Sequence, residues 1–177
     1  MSTPAVPPPV PPAGDVDVHA ALREPAHQVS PTARALWAVG AVVRGLVLVA
    51  ALVAADLLDW WALPWWGWAL LVPALVAYAA LMPLVRYRVH RWESTETAVY
   101  TQVGWLSRER RIAPMSKVQT VDLEQSPVAR ALGLATVTVT TASAAGPLTI
   151  TGIDKPVADR LVADLTRRTE SEAGDAT

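Results

Sequence analysis

Seven basic side chains give this sequence its clearest chemical signal, because guanidinium and ammonium groups bind anions such as phosphate esters. The stretch from residue 86 to residue 168 carries 12 basic and 8 acidic side chains. The candidate binding face for lipids or a partner consists of Arg86, Arg88, Arg91, Arg108, Arg110, Arg111 and Lys117. An ordinary solvated surface combined with a topology signal is the alternative, since Glu109 lies among the arginines.

Other kinds of chemistry find little support in the composition. The chain has no cysteine, which excludes disulfides, thiolate metal sites and cysteine nucleophiles. Its three histidines lack metal-binding spacing, and no nucleophile elbow or glycine-rich phosphate loop is present. We therefore expect no enzyme activity, no cofactor, no metal and no nucleic-acid partner.

The elements that must position the basic face begin with two apolar segments. Residues 35–55 are apolar except for Arg44, and residues 60–85 contain no charged side chain. A helix needs roughly 20 such residues to span a bilayer. Only residues 56–59 separate the two segments, so they predict an antiparallel transmembrane hairpin at 35–86, with helices at about 35–56 and 60–85.

Charged and aromatic residues at the helix ends predict the orientation of this hairpin. Arg34 precedes the first helix and Arg86 follows the second, whereas the connecting turn carries only Asp56 and Asp59. Basic residues favour the cytoplasmic side, so both termini are expected there. Tryptophans crowd the opposite end of the second helix, at headgroup depth. They are Trp60, Trp61, Trp65, Trp66 and Trp68.

Arg44 is the unusual residue of the first helix. Because neither apolar segment supplies a carboxylate at similar depth, we expect its side chain to extend toward the inner headgroups. An intramembrane ion pair or proton pathway is the alternative. A cleaved signal peptide ending near Ala55 is a further alternative, but the preceding Pro-rich segment and Arg44 oppose it.

Both ends of the chain are predicted to be disordered. Residues 1–34 contain eight prolines and no apolar periodicity, which predicts a disordered cytoplasmic tail. Docking of this tail into an aromatic groove is the less common alternative for such sequences. Residues 169–177 are acidic and polar, and they predict a second disordered tail.

Between the hairpin and the last tail, short alternating segments predict a β-rich domain at 87–168. Valines and threonines alternate over residues 136–140, and the pattern repeats at 148–151 after a turn, which predicts a β-hairpin. The expected strands are 87–92, 98–102, 105–112, 117–124, 135–141 and 147–152.

Two helices complete this domain. Ser126 as N-cap, Pro127 at the first position and Gly133 as terminator predict a short helix. A longer amphipathic helix follows Asp154. The predicted fold class is therefore an α+β membrane protein, in which a two-helix hairpin precedes a pleckstrin-homology-like antiparallel β-barrel or sandwich capped by a C-terminal helix.

Three sequence stretches closely resemble the bacterial pleckstrin-homology-like membrane proteins of the YdbS type. They are RIAPMSKVQTVD at 111–122, QSPVARALGLA at 125–135 and TTAS at 140–143. The resemblance covers roughly residues 35–168 and implies a membrane hairpin preceding one such domain. The structural residues it implies are Gly104, Pro114, Gln119, Pro127, Arg130 and Gly133. Ser126 departs from the glycine of many members, yet serine caps a helix equally well.

The functional hypothesis follows from the anchor, the fold and the absence of catalytic motifs. We expect a non-catalytic protein-interaction or assembly module at the cytoplasmic face of the bacterial inner membrane, with protein partners or self-association. A sensor of anionic membrane lipids is the alternative, and a subunit of an oligomeric transporter or export complex is a weaker one. Because a lone histidine is usually a surface residue, no role is predicted for His90.

Overall fold

The computed structural model describes residues 24–143 and 146–175, and it describes side chains as far as residue 169. Helix α1 spans Ala33–Leu57 and helix α2 spans Trp65–Val89. Their mean hydropathies are 2.3 and 2.1, and both are long enough to cross a membrane. They lie antiparallel, with Gly45 of α1 facing Leu75 of α2. The predicted hairpin is present, with α1 slightly longer than the predicted 35–56 and α2 shifted toward the C-terminus from the predicted 60–85.

Seven strands form two antiparallel sheets. The first sheet has the order β1-β2-β3-β4, and the second has the order β5-β6-β7. The strands are β1 His27–Gln28, β2 Arg91–Ser94, β3 Ala98–Gly104, β4 Arg108–Pro114, β5 Val118–Glu124, β6 Leu134–Thr141 and β7 Leu148–Asp154. Since the two ladders are separate in the described part of the chain, the domain is a sandwich and not a closed barrel.

Two helices accompany the second sheet. The short helix α3, Pro127–Ala131, connects β5 to β6, and helix α4, Lys155–Asp175, follows β7 and packs on the second sheet. The Oγ atom of Ser126 accepts a hydrogen bond from the Ala129 amide at 3.1 Å, and Gly133 takes a left-handed φ of 67°. The predicted capping signals of α3 are therefore confirmed.

The hydrophobic core lies between the sheets and under α4. Val137, Val139 and Ile150 of the second sheet belong to the same buried cluster as Leu165 of α4, which is fully buried. The Val/Thr alternation correctly predicted the β6–β7 hairpin, which pairs Val137 with Ile150. The same core continues into the start of α1, so the β domain and the membrane hairpin share one packed interior.

The prediction for the junction between α2 and the first sheet was wrong. Residues 87–92 were predicted as a strand, but α2 continues to Val89 and β2 begins only at Arg91. Alternating residues in this stretch fit a strand, yet helical hydrogen bonds continue as far as the His90 amide, which donates to the Arg86 carbonyl at 2.9 Å. Arg86 and Arg88 are therefore helical residues.

Both predicted tails contain ordered structure. Residues 24–34 include β1, and the Ser30 amide donates a hydrogen bond to the Gly152 carbonyl at 2.9 Å. These contacts could not be predicted from local sequence patterns because they join residues distant in the chain. Helix α4 likewise continues through residues 169–175. The remaining parts of the predicted tails, residues 1–23 and 176–177, lie outside the described residues.

Candidate functional site

A row of polar side chains crosses the first sheet where α2 ends. Strand pairing places Gln102 of β3 between Arg91 of β2 and Arg110 of β4. The Oε1 atom of Gln102 accepts a hydrogen bond from Arg110 Nε at 2.8 Å, and its Nε2 atom donates to the Val89 carbonyl at 3.1 Å. This buried amide therefore fastens the row to the last turn of the membrane helix.

Glu24 holds two arginines of this face together. Its carboxylate lies 3.5 Å from Arg108 and 3.6 Å from Arg91. Because both ion pairs are substantially exposed, each contributes little stability, about 0–1 kcal/mol. The face formed by Arg91, Arg108 and Arg110, called here the arginine row, thus combines three cations with one carboxylate.

Arg111 and Lys117 do not belong to the arginine row. Side chains alternate along β4, so the Arg111 side chain projects from the opposite face of the sheet. There it forms an ion pair with Glu109 at 2.6 Å and donates a hydrogen bond to the Pro147 carbonyl at 3.1 Å. Lys117 is exposed in the 3₁₀ turn after β4, some 20 Å of strand away from Arg108. The structure therefore does not bring Arg111 and Lys117 together with the arginine row.

The two basic residues of the last α2 turn have different surroundings. Arg88 is exposed. Arg86 is partly buried, and its guanidinium carbon lies 4.7 Å from the centre of the Trp37 ring of α1. Cations attract aromatic faces within about 6 Å, so Arg86 joins the two membrane helices to each other. Its guanidinium therefore takes part in packing between the two helices.

His90 is the buried residue that sequence reasoning missed. Only 3% of it is exposed, and its ring lies 4.8 Å from that of Trp37. Its Nδ1 atom lies 2.9 Å from the Arg86 carbonyl, and its Nε2 atom accepts from Arg86 Nε at 3.3 Å. Burial, together with the nearby Arg86 charge, lowers the pKa of His90 to about 4. The imidazole is therefore neutral at physiological pH.

Close packing at one glycine brings the start of α1 against β7. Gly152 has a φ of 83°, and a Cβ atom placed there would lie only 2.6 Å from the Cβ atom of Ala33. Real Cβ atoms are not found this close, so only glycine allows the helix and the strand to meet. Trp37, one turn further along α1, is 5% exposed beneath this contact.

The residues predicted to be structural fall into two groups. Gly104 has a φ of 137° in the turn before β4, Pro114 ends β4, and Pro127 begins α3. Gln119 and Arg130, however, are exposed. Glutamine side chains bond to the backbone elsewhere: Gln102 donates to Val89, and the Nε2 atom of Gln125 donates to the Leu134 carbonyl at 2.7 Å.

Among the described residues, no group of three acidic or histidine side chains could hold a metal ion. The site therefore consists of cations, one carboxylate and a buried amide, all placed where the helical anchor meets the sheet.

Residues 33–169 match the model of the bacterial PH domain family. The chain belongs to this family. The matched region contains α1 and α2 as well as both sheets, so the membrane hairpin is part of what the family model recognises. The chain is also similar to the UPF0699 transmembrane protein YdbS of Bacillus subtilis strain 168, with 30% identity over 152 residues, covering 81% of this chain and 92% of that protein. No solved structure is detectably similar.

These findings confirm the predicted family and the membrane location. Two spans followed by a PH domain make up most of the described chain. The PH domain is therefore attached to a bilayer by its own helices, and only His90 separates the end of α2 from strand β2 of the first sheet.

Proposed function

We propose that this protein is a non-catalytic, membrane-anchored PH domain that binds anionic lipid headgroups through the arginine row. The observation that carries the proposal is the position of that row: Gln102 fastens it to the carbonyl of Val89, the last residue of α2. A cationic face at this level meets phosphate groups without any movement of the domain.

The expected energies suit a surface interaction. Each cation close to an anionic leaflet contributes about 1 kcal/mol, and the three arginines together about 3 kcal/mol before the opposing charge of Glu24 is counted. Such an interaction is weak for a free protein. For a domain already held at the membrane it is sufficient to enrich anionic lipids around the anchor, because no translational freedom is lost on contact.

The proposal includes a cytoplasmic position for the PH domain in the inner membrane. Arg34, Arg86 and Arg88 lie at the end of the hairpin that carries the domain, whereas Asp56 and Asp59 lie at or beside the other end. Basic residues flanking membrane helices favour the cytoplasmic side. The cytoplasmic leaflet also carries the negative surface potential that the arginine row would use.

The test uses the full chain in nanodiscs that contain a mixture of zwitterionic and anionic lipid. We expect the wild-type protein to enrich the anionic lipid in its immediate surroundings, measured by quenching or by the lipids that remain after detergent extraction. The double variant Arg91→Gln/Arg108→Gln should lose this enrichment, and added salt should reduce it in the wild type.

The matched control is Arg160→Gln/Arg167→Gln, which removes the same number of charges from exposed positions on α4. Equal enrichment in wild type and in both double variants would contradict the proposal. Equal loss in both variants would show that net charge, and not the arginine row, attracts the lipid.

A protein-interaction module is the second candidate, and one groove favours it. A cavity of about 530 Å³ lies between the edge of the first sheet and α4, lined by Trp92, Val157 and Leu161 together with Arg160 and Arg167. Mixed apolar and charged walls suit a peptide partner or a second copy of the chain. A photoreactive residue in place of Ala163, which also lines the groove, would test it by trapping a partner or a dimer in membranes.

A further inference from the structure

The turn between β3 and β4 extends from the sandwich back along the membrane helix. The Trp105 ring lies 5.6 Å from the Tyr78 ring, in an edge-to-face arrangement. Tyr78 is eleven residues before the end of α2, about 16 Å along the helix axis. A residue of the β domain therefore contacts the middle of a helix that crosses the bilayer.

The length of β3 agrees with this placement. Gln102 is fixed at the level of Val89, and Trp105 follows three residues later, which corresponds to about 10 Å of extended chain. Side chains of a helix lean toward its N-terminus, which for α2 is the end away from the PH domain. The Tyr78 ring therefore lies further from the PH domain than the Tyr78 Cα atom does. The Trp105 ring, which contacts it, lies at a similar depth.

The depth of Tyr78 can be judged against the ends of the span. Tryptophans such as Trp65 and Trp66 mark one interface at the start of α2, and the hydrocarbon core of about 30 Å corresponds to roughly 20 helical residues. Counting from Trp66 places the second interface close to Val85 and Arg86. Tyr78 then lies inside the hydrocarbon region, about one third of the way from that interface.

The side chains of the turn suit lipid and not water. Leu106 at its tip is 82% exposed and Trp105 is 42% exposed, although leucine and tryptophan gain by leaving water. The side chain of Arg108, directly after the turn, extends in the opposite direction from Trp105 and Leu106. Its guanidinium contacts Glu24, which also contacts Arg91 at the level of the helix end, so the charge extends back toward the headgroups.

We propose that the β3–β4 turn, residues Trp105 to Ser107, is embedded in the lipid bilayer beside α2. The turn is narrow enough to enter because Gly104 allows a tight reversal: a Cβ atom there would lie 1.8 Å from the Ser107 carbonyl oxygen. The embedding depends on the two membrane helices and on the apolar tip. It does not depend on the proposed preference for anionic lipids.

The absence of cysteine makes the test direct, since single cysteines can be introduced without removing others. Nitroxide labels would be attached to the full chain at Leu106→Cys in nanodiscs. Val76→Cys, 64% exposed on α2, provides a lipid-facing control, and Ser116→Cys, exposed beyond the far end of β4, provides an aqueous control. Collisions with oxygen and with a water-soluble nickel chelate report the depth of each label.

We expect the labels at Leu106 and Val76 to have similar collision rates with oxygen and with the nickel chelate. Both labels should collide with the chelate less often than the label at Ser116. A label at Leu106 that collides with the chelate as often as the label at Ser116 would overturn the proposal. Ser107→Cys serves as a second variant if Leu106→Cys fails to fold.

The measurement is made in purely zwitterionic and in mixed anionic nanodiscs. A buried label in both kinds of disc supports embedding whether or not anionic lipid is enriched. An accessible label together with intact enrichment would overturn the embedding and leave the arginine-row proposal standing.

Discussion

The two sheets of the sandwich are held in place by different physical means. The second sheet, β5 to β7, is stabilised by apolar side chains that alternate along each strand and are covered by α4. The first sheet, β1 to β4, meets the membrane helices through buried polar groups, among them Gln102 and His90. The same membrane junction includes the close contact between the start of α1 and Gly152, at the end of β7 that faces the helices.

This difference predicts how each part of the molecule responds to substitution. A hydrophobic layer tolerates exchange among apolar residues of similar volume, whereas a buried hydrogen bond or a helix–strand contact without a Cβ atom tolerates almost no exchange. The junction should therefore respond more strongly than the second sheet to small chemical changes, and four measurements in detergent-solubilised protein can check this.

The largest effect is expected at the contact between α1 and β7. Gly152→Val places a branched side chain where the φ is 83° and where the Cβ of Ala33 would lie 2.6 Å away. Thermal unfolding should show a loss of about 3–4 kcal/mol. Gly133→Ala is the control, since it has a similar φ but nothing within 4 Å, and it should cost about 1–2 kcal/mol. Equal losses would contradict the importance of the close contact.

The next effect concerns pH. His90 has a folded pKa of about 4, below its usual 6.5, so the unfolded chain binds a proton more readily. Stability is therefore complete above about pH 6.5 and declines as the pH falls toward 4, by an amount on the order of 2–3 kcal/mol. In His90→Gln, the unfolding midpoint should depend less on pH over this range. His27, which is exposed, provides the control substitution.

Two glutamines allow a matched comparison between the sheets. Gln102→Leu removes the hydrogen bonds to Val89 and from Arg110 at a fully buried position, and we expect a loss of about 2 kcal/mol. Gln125→Leu removes one hydrogen bond to Leu134 at a partly buried position, and about 1 kcal/mol should be lost. Chemical denaturation measures both. A larger loss of stability in Gln125→Leu than in Gln102→Leu would contradict the greater sensitivity of the junction.

The smallest effect is expected away from the junction. Ser126→Ala removes the hydrogen bond to the Ala129 amide at the start of α3, and such caps contribute about 1 kcal/mol. Ser126→Thr keeps a hydroxyl and should restore most of the unfolding midpoint. A loss as large as that of Gly152→Val would show that this part of the chain is no more tolerant than the junction.

The sequence was most informative where local patterns decide the structure. Continuous apolar stretches predicted both membrane helices, and the alternation of valine and threonine predicted β6 and its pairing with β7. The guanidinium of Arg44 lies back over Gly40, one turn nearer the start of α1, as local helix geometry allows. Each of these features depends on neighbours along the chain.

The junction could not be predicted because its contacts join distant residues. Nothing near His27 or Ser30 in the sequence indicates pairing with Trp92 or with Gly152. Gln102 gave no signal either, since a glutamine shortly before a turn is usually exposed. Residues 87–92 alternate as a strand would, yet helical hydrogen bonds continue as far as the His90 amide.

The tie between Gln102 and Val89 has a mechanical consequence when it is considered with the other two attachments of the domain. Ser30 bonds to Gly152, and Trp105 rests on Tyr78, so the sandwich is fixed to its helices at three separate points. Three points define a plane, and a body held at all three cannot swivel as a tethered domain does. Any tilt of the helices relative to the bilayer would therefore turn the whole sandwich through the same angle.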